Sequence, residues 1–159
     1  MASSADQLAS RLVSGGRAVT RANRRGVEQA CLAGKAVMIA SASSAGLGSP
    51  GGKLRGVGKS GGKWNVRYRV TGYQNVVGVL RFTGAVHLMN NDTAPHEISP
   101  RRKKALAFPD GGVRTDPVQH PGTKGKKFFE HAEPIVVRQS ERIITQTVRG
   151  HLARVFSGS

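Results

Sequence analysis

The residues in this chain that are equipped for chemistry are mostly cations, and they come in groups. Arg101, Arg102, Lys103 and Lys104 form one run, set between the proline turns Ala94-Pro95-His96 and His120-Pro121-Gly122. Proline restricts its own φ and that of its predecessor, and glycine supplies geometry that other residues avoid, so both points read as rigid bends. Four adjacent positive charges at the end of a strand suit DNA phosphate or an acidic protein ring; the plainer alternative is a solvated flank that aids solubility. Lys124, Lys126 and Lys127 follow the second turn, and Lys53, Arg55 and Lys59 lie upstream in a Gly/Ser-rich stretch. These ten cations are the candidates for an interface or a DNA channel.

Enzyme chemistry finds no comparable support. The histidines at 87, 96, 120, 131 and 151 form no HExxH pair, and a single cysteine, Cys31, cannot complete a zinc set. His96 and His120 meet in space only if the two turns do, and we expect hydrogen-bonding turn residues there rather than metal ligands. Asp92, Glu97, Asp110 and Asp116 all fall in or near turns, where Asp commonly caps a loop, and form no spaced pair for acid-base work. Gly58-Lys59-Ser60 echoes a phosphate-binding loop, but that loop needs glycine where Lys53 stands. We therefore expect no catalysis and no cofactor.

Composition points the same way. Among 159 residues, 25 Lys and Arg oppose 9 Asp and Glu, a formal charge of +16. Such a field favours nucleic acid, anionic membrane or acidic protein partners, and any assembly of identical copies must offset their repulsion. The length suits one domain, residues 1–159, with one modest core. One cysteine excludes an intrachain disulfide and fits a reducing compartment. With no apolar run near the ~18 residues a spanning helix needs, and no basic-then-apolar leader at MASSADQLAS, we expect no membrane partner.

The elements that must position these residues follow from periodicity. Asp6 caps a short first helix, Gly15-Gly16 interrupts it, and a second helix runs from Arg17 to about Ser41. Its stripe, Val19, Ala22, Val27, Ala30, Cys31, Gly34, Val37 and Met38, is rich in small residues and implies close approach to a sheet or helix. Residues 42–62 read as a flexible Gly/Ser-rich basic loop or arm. Trp64, Val66, Tyr68 and Val70 alternate with Asn65, Arg67 and Arg69, a strand whose aromatics face the core, and Val76 to Thr83 is its hairpin partner. After a break at Gly84 come strand candidates at Ala85 to Met89, Ala105 to Phe108 and Val113 to Val118, the last two flanking Pro109-Asp110-Gly111-Gly112. Phe128-Phe129 anchors a C-terminal helix whose apolar face runs through Ile135, Ile143, Ile144, Val148, Leu152, Val155 and Phe156, with Pro134 in its first turn. The expected fold is α+β: an antiparallel sheet of four or five strands packed by a long N-terminal helix and a C-terminal helix.

The central stretch carries a resemblance. Asp92-Thr93-Ala94-Pro95-His96-Glu97-Ile98-Ser99-Pro100, the basic run, Ala105 to Phe108, His120-Pro121-Gly122-Thr123 and Phe128-Phe129 before a helix resemble the tailed-phage neck and tail-completion (minor tail) proteins typified by phage HK97. The likeness covers residues 15–156 and is specific over residues 92–132. It implies a structural virion protein that forms a ring, sixfold to match the tail tube, at the head-to-tail joint. Its partners would be other copies of itself, a head connector or stopper protein, a tail terminator or tail tube protein, and genomic double-stranded DNA in the channel. It would be assembled in the host cytoplasm. The competing reading is an independent, sequence-nonspecific nucleic-acid-binding protein.

Overall fold

Helix-favouring residues run without a proline from the start of the chain to Gly48, and they fold as one helix, α1, Ser4–Ala42. The computed structural model describes residues 4–52, 63–100, 105–107 and 112–157, which divide into two compact units: Met1–Val86 with Phe128–Ser159, and His87–Lys127. In the first unit α1 is followed by the antiparallel pair β1 (Asn65–Thr71) and β2 (Val77–Thr83), then by α3 (Phe128–Ser157). In the second lie a single helical turn, α2 (His87–Asn90), and the short strands β3 (His96–Ile98), β4 (Leu106–Ala107), β5 (Val113–Arg114) and β6 (Val118–His120).

The small-residue stripe of α1 is used as its composition implies. Ala18, Ala22, Val27, Ala30, Cys31, Met38 and Ala42 are buried, and α1 meets both α3 and the β1–β2 hairpin. A Cβ at Gly34 would stand 2.8 Å from Leu80 Cδ1 and 3.0 Å from Val136 Cγ1. Across the hairpin, one at Gly78 would stand 2.5 Å from Cys31 Sγ. The helices are antiparallel: Ser41 Oγ donates to the Phe128 carbonyl at 2.8 Å, and Thr147 Oγ1 donates to Gln29 Oε1 at 3.0 Å. Aromatic rings close one end of this unit. Trp64 and Phe128 are fully buried, Phe82 meets Phe128 edge-on at 5.6 Å, and the Trp64 indole donates to the Leu47 carbonyl at 3.2 Å. Each such ring pair contributes roughly 0.5–1.5 kcal/mol beyond its buried area.

Several expectations are corrected. Gly15-Gly16 does not break α1; two glycines cost a helix about 2 kcal/mol together, which a 39-residue helix packed along much of its length absorbs. Asp6 sits inside the first turn, favourable to the helix dipole, instead of capping it. Gly84, at φ 83°, ends β2, and the following residues form α2 where a strand was expected. Tyr68 remains 40% exposed, because among the described residues both strands of its sheet are edges and a ring on the helix-facing side still has a free flank. In α3 the inward line runs through buried Phe128 and Ala132 and half-buried Val136, while Ile135 points outward at 49% exposure; Pro134 lies past the first turn, since α3 begins at Phe128.

The strands among the described residues form three separate antiparallel pairs, β1–β2, β3–β6 and β4–β5, and not one sheet of four or five. The Ala105–Phe108 and Val113–Val118 candidates do pair, as β4 with β5, but Val118 belongs to β6 and joins β3. Of the expected arm at 42–62, the described part is tied down: Leu47 is buried, Gly51 N–H donates to the Trp64 carbonyl at 2.7 Å, and Trp64 N–H donates to Gly52 O at 3.3 Å. Its remainder lies outside the described residues. By length and composition alone, Leu12–Leu47 is apolar enough to cross a membrane, with mean hydropathy 1.4 in its richest window, of which 33% is buried. Interspersed Gly and Ser keep the contiguous apolar runs short, while Ala, Val and Ile raise the mean.

Candidate nucleic-acid and assembly interface

Strand alternation sends Asn65, Arg67, Arg69 and Thr71 to one face of β1 and Val66, Tyr68 and Val70 to the other. Gly78 and Leu80 of β2 face α1, so the first set, with Val77, Val79, Arg81 and Thr83, forms the outer face. The register places Arg67 directly opposite Arg81 and Arg69 opposite Val79, leaving Arg69 diagonal to Arg81. All three arginines are exposed and line one open groove with Tyr68, Thr71 and Val79. Like charges directly opposed on a sheet cost roughly 0.2–1 kcal/mol. No described carboxylate offsets them: the Arg24–Glu28 pair (3.3 Å) lies on α1, and the Lys127–Asp92 pair (2.9 Å) lies in the other unit. Arg24 also donates to the Gly72 carbonyl at 3.3 Å, which ties the hairpin turn to α1.

In the second unit the two motif segments fold onto each other. β3 and β6 pair His96 with His120, Glu97 with Gln119 and Ile98 with Val118. Thr93 and Thr123 extend the pairing through reciprocal amide-carbonyl bonds of 2.9 and 3.1 Å and a hydroxyl contact of 2.8 Å. The imidazoles of His96 and His120 lie 5.0 Å apart at 30°. His96 Nδ1 lies 3.0 Å from the Ala94 carbonyl, an acceptor, so that nitrogen carries the proton; His120 Nδ1 accepts the Gly122 amide at 3.0 Å and so is unprotonated. Both histidines thus serve their turns, and among the described residues no three His, Cys, Asp or Glu side chains converge on a metal position. Gly122 has φ 84°, and a Cβ there would stand 2.2 Å from the Thr93 carbonyl oxygen, so the His-Pro-Gly-Thr turn admits only glycine. Pro95 and Pro121 lie exposed beside these pairings.

Asp92 closes this unit. Its carboxylate takes the Lys127 ammonium at 2.9 Å and the Gly125 amide at 2.7 Å, and these two bonds hold it below the ordinary carboxylate range. Lys127 adopts φ 50°, left-handed and rare for a side-chain-bearing residue, while its amide donates to the Asn90 carbonyl at 3.2 Å. Of the cations expected at an interface, Lys127 is therefore engaged within its own unit, while Lys124 and Lys126 are exposed. Lys53, Arg55, Lys59 and the run Arg101, Arg102, Lys103 and Lys104 lie outside the described residues. The hairpin arginines were legible only in half: alternation puts Arg67 and Arg69 on a wet face, but the register that brings Arg81 beside them depends on the turn. Cys31 is buried, and desolvation, then the Glu28 carboxylate, push its thiol up, away from the reactive thiolate.

No protein-family model, curated protein or solved structure matches the chain.

Proposed function

We propose that this chain is a structural, non-enzymatic virion protein of a tailed phage, which forms a ring at the head-to-tail joint around the DNA channel. The observation that carries the reading is the co-folding of the two segments that bear the resemblance, through Asp92 to Lys127 and Gly125, Thr93 to Thr123, and His96 to His120.

In this role the chain assembles with copies of itself, sixfold with the tail tube, between a head connector or stopper protein and a tail terminator or tube protein. It acts in the neck of the virion after assembly in the host cytoplasm. Among the described residues both strands of the β1–β2 hairpin are edges. In a ring, hairpins of adjacent copies can add edge to edge, which would build a sheet of four or more strands across subunits. The charge of +16 keeps free copies apart until DNA or acidic neighbours compensate it.

A nonsense mutation in its gene should leave DNA-filled heads and free tails unjoined under the electron microscope, and native mass spectrometry of purified necks should return a ring stoichiometry. Normal virions from the mutant, or one copy per neck, would overturn the proposal. The second reading, an independent sequence-nonspecific nucleic-acid-binding protein, is favoured by the opposed Arg67 and Arg81. It predicts the protein on intracellular DNA and absence from virions.

A further inference from the structure

We infer that the outer face of the β1–β2 hairpin is a phosphate-binding surface for duplex DNA, with Arg67, Arg69 and Arg81 as its contacts. The inference rests on the proposed function only for which DNA is meant, the packaged genome passing the joint. Three observations converge on it. The register sets Arg67 against Arg81 and puts Arg69 on their diagonal, so three guanidinium groups share one small area of pleat. No described residue forms an ion pair or hydrogen bond with any of them, although sequence elsewhere in the chain supplies Arg24 and Lys127 with carboxylates. The groove they line is open, and among the described residues the hairpin that carries it is a two-stranded ribbon with no third strand and with α1 behind it.

A two-stranded ribbon is narrow enough to enter a DNA groove, and guanidinium forks match phosphate oxygens in pairs. The like-charge repulsion that a folded monomer must tolerate at Arg67 and Arg81 becomes attraction once phosphates lie between them. The face has no Asn or Gln beside the arginines except Asn65, and its other members, Thr71, Thr83, Val77 and Val79, offer little to read base edges. Binding is therefore to backbone, without sequence preference, as a passage for an entire genome requires. An acidic protein surface would also neutralise arginines, but the regular spacing along a pleat fits a repeating polyanion better than an irregular patch.

The test uses purified full-length protein and a random-sequence 30-bp duplex, with anisotropy measured across a salt series. Arg67→Gln/Arg69→Gln/Arg81→Gln should weaken binding at least about tenfold and reduce the slope of log K against log salt by about two to three. Arg138→Gln/Arg142→Gln/Arg149→Gln on α3 removes the same charge and should weaken binding by less than about threefold. Equal losses in the two triples would reduce the effect to net charge and overturn the inference. Tighter binding of the wild type to polyglutamate than to duplex at the same salt would transfer the face to an acidic protein and overturn it as well. Should the hairpin triple unfold by circular dichroism, phenylglyoxal footprinting of the wild type decides: DNA must protect Arg67, Arg69 and Arg81, and their continued modification sinks the proposal. Failure here leaves unjoined heads and tails in the nonsense mutant as expected, whereas joined virions in that mutant would remove the neck role and leave the hairpin result standing.

Discussion

Asp92 shows how much of the second unit hangs on single side chains. Its two carboxylate oxygens are divided between Lys127 Nζ and the Gly125 amide, and Lys127 holds a left-handed backbone while it takes part. Because these bonds favour the ionised form, the carboxyl is depressed in the folded protein. The sign follows: the stabilisation is complete above the unfolded carboxyl's ordinary value of about 4 and is lost as pH falls through the lower folded value. Asp92→Asn should lower the hydrogen-exchange protection factor of the Gly125 amide near pH 6. The wild-type factor should fall toward pH 3, and the substitution should abolish that fall. Unchanged protection at pH 6 would mean that the turn holds without the clamp. As the carboxylate is solvent-exposed, the effect should stay local and leave the melting temperature of the first unit alone.

At the scale of elements, the contact between hairpin and α1 depends on the absence of side chains. Gly78 lets β2 settle onto Cys31 and Val27, whose Sγ and Cγ1 would lie 2.5 and 2.9 Å from any added Cβ. Gly78→Ala should cost about 1–3 kcal/mol in denaturant unfolding, since overpacking forces the ribbon outward. Cys31→Ala opens room on the helix side, so the double variant should recover at least about 0.5 kcal/mol relative to the sum of the single changes. Additivity would show that the two residues do not meet. Displacement of the hairpin would also shift the arginine face that we assign to DNA, so Gly78→Ala should weaken duplex binding while leaving every cation in place.

For the whole molecule, charge is the dominant unbalanced quantity. With +16 over 159 residues, compaction brings like charges together, and salt bridges on the described surface are sparse. Raising ionic strength from about 0.01 M to about 0.15 M shortens the screening length from ~30 to ~8 Å. The melting temperature should therefore rise, by roughly 2–4 °C for each kcal/mol of repulsion relieved in a chain of this size. A fall with salt would show that attractive pairs outweigh the repulsion. The same added salt must weaken duplex binding, so stability and affinity should move in opposite directions across one titration.

What local periodicity encodes, the sequence by itself determined: the helical stripe from Val19 to Met38, the alternation of Trp64 to Val70, the hairpin with Val76 to Thr83, the start of the last helix at Phe128, and the α+β class. The continuity of α1 through Gly15-Gly16 was not legible, because a local glycine cost is outweighed only by packing distributed along the helix. Nor was the division of six described strands into three pairs, since an edge of three residues pairs with whatever the chain brings within reach. The proline-histidine turns were visible as bends, and the pairing of His96 with His120 was conditional on their meeting. The site follows the same divide. That Arg67 and Arg69 share a wet face is a matter of period two along one strand. That Arg81 stands against Arg67 is a matter of register, set by the five residues that connect Thr71 to Val77 and by Gly78 seated on Cys31, and only the tertiary structure decides it.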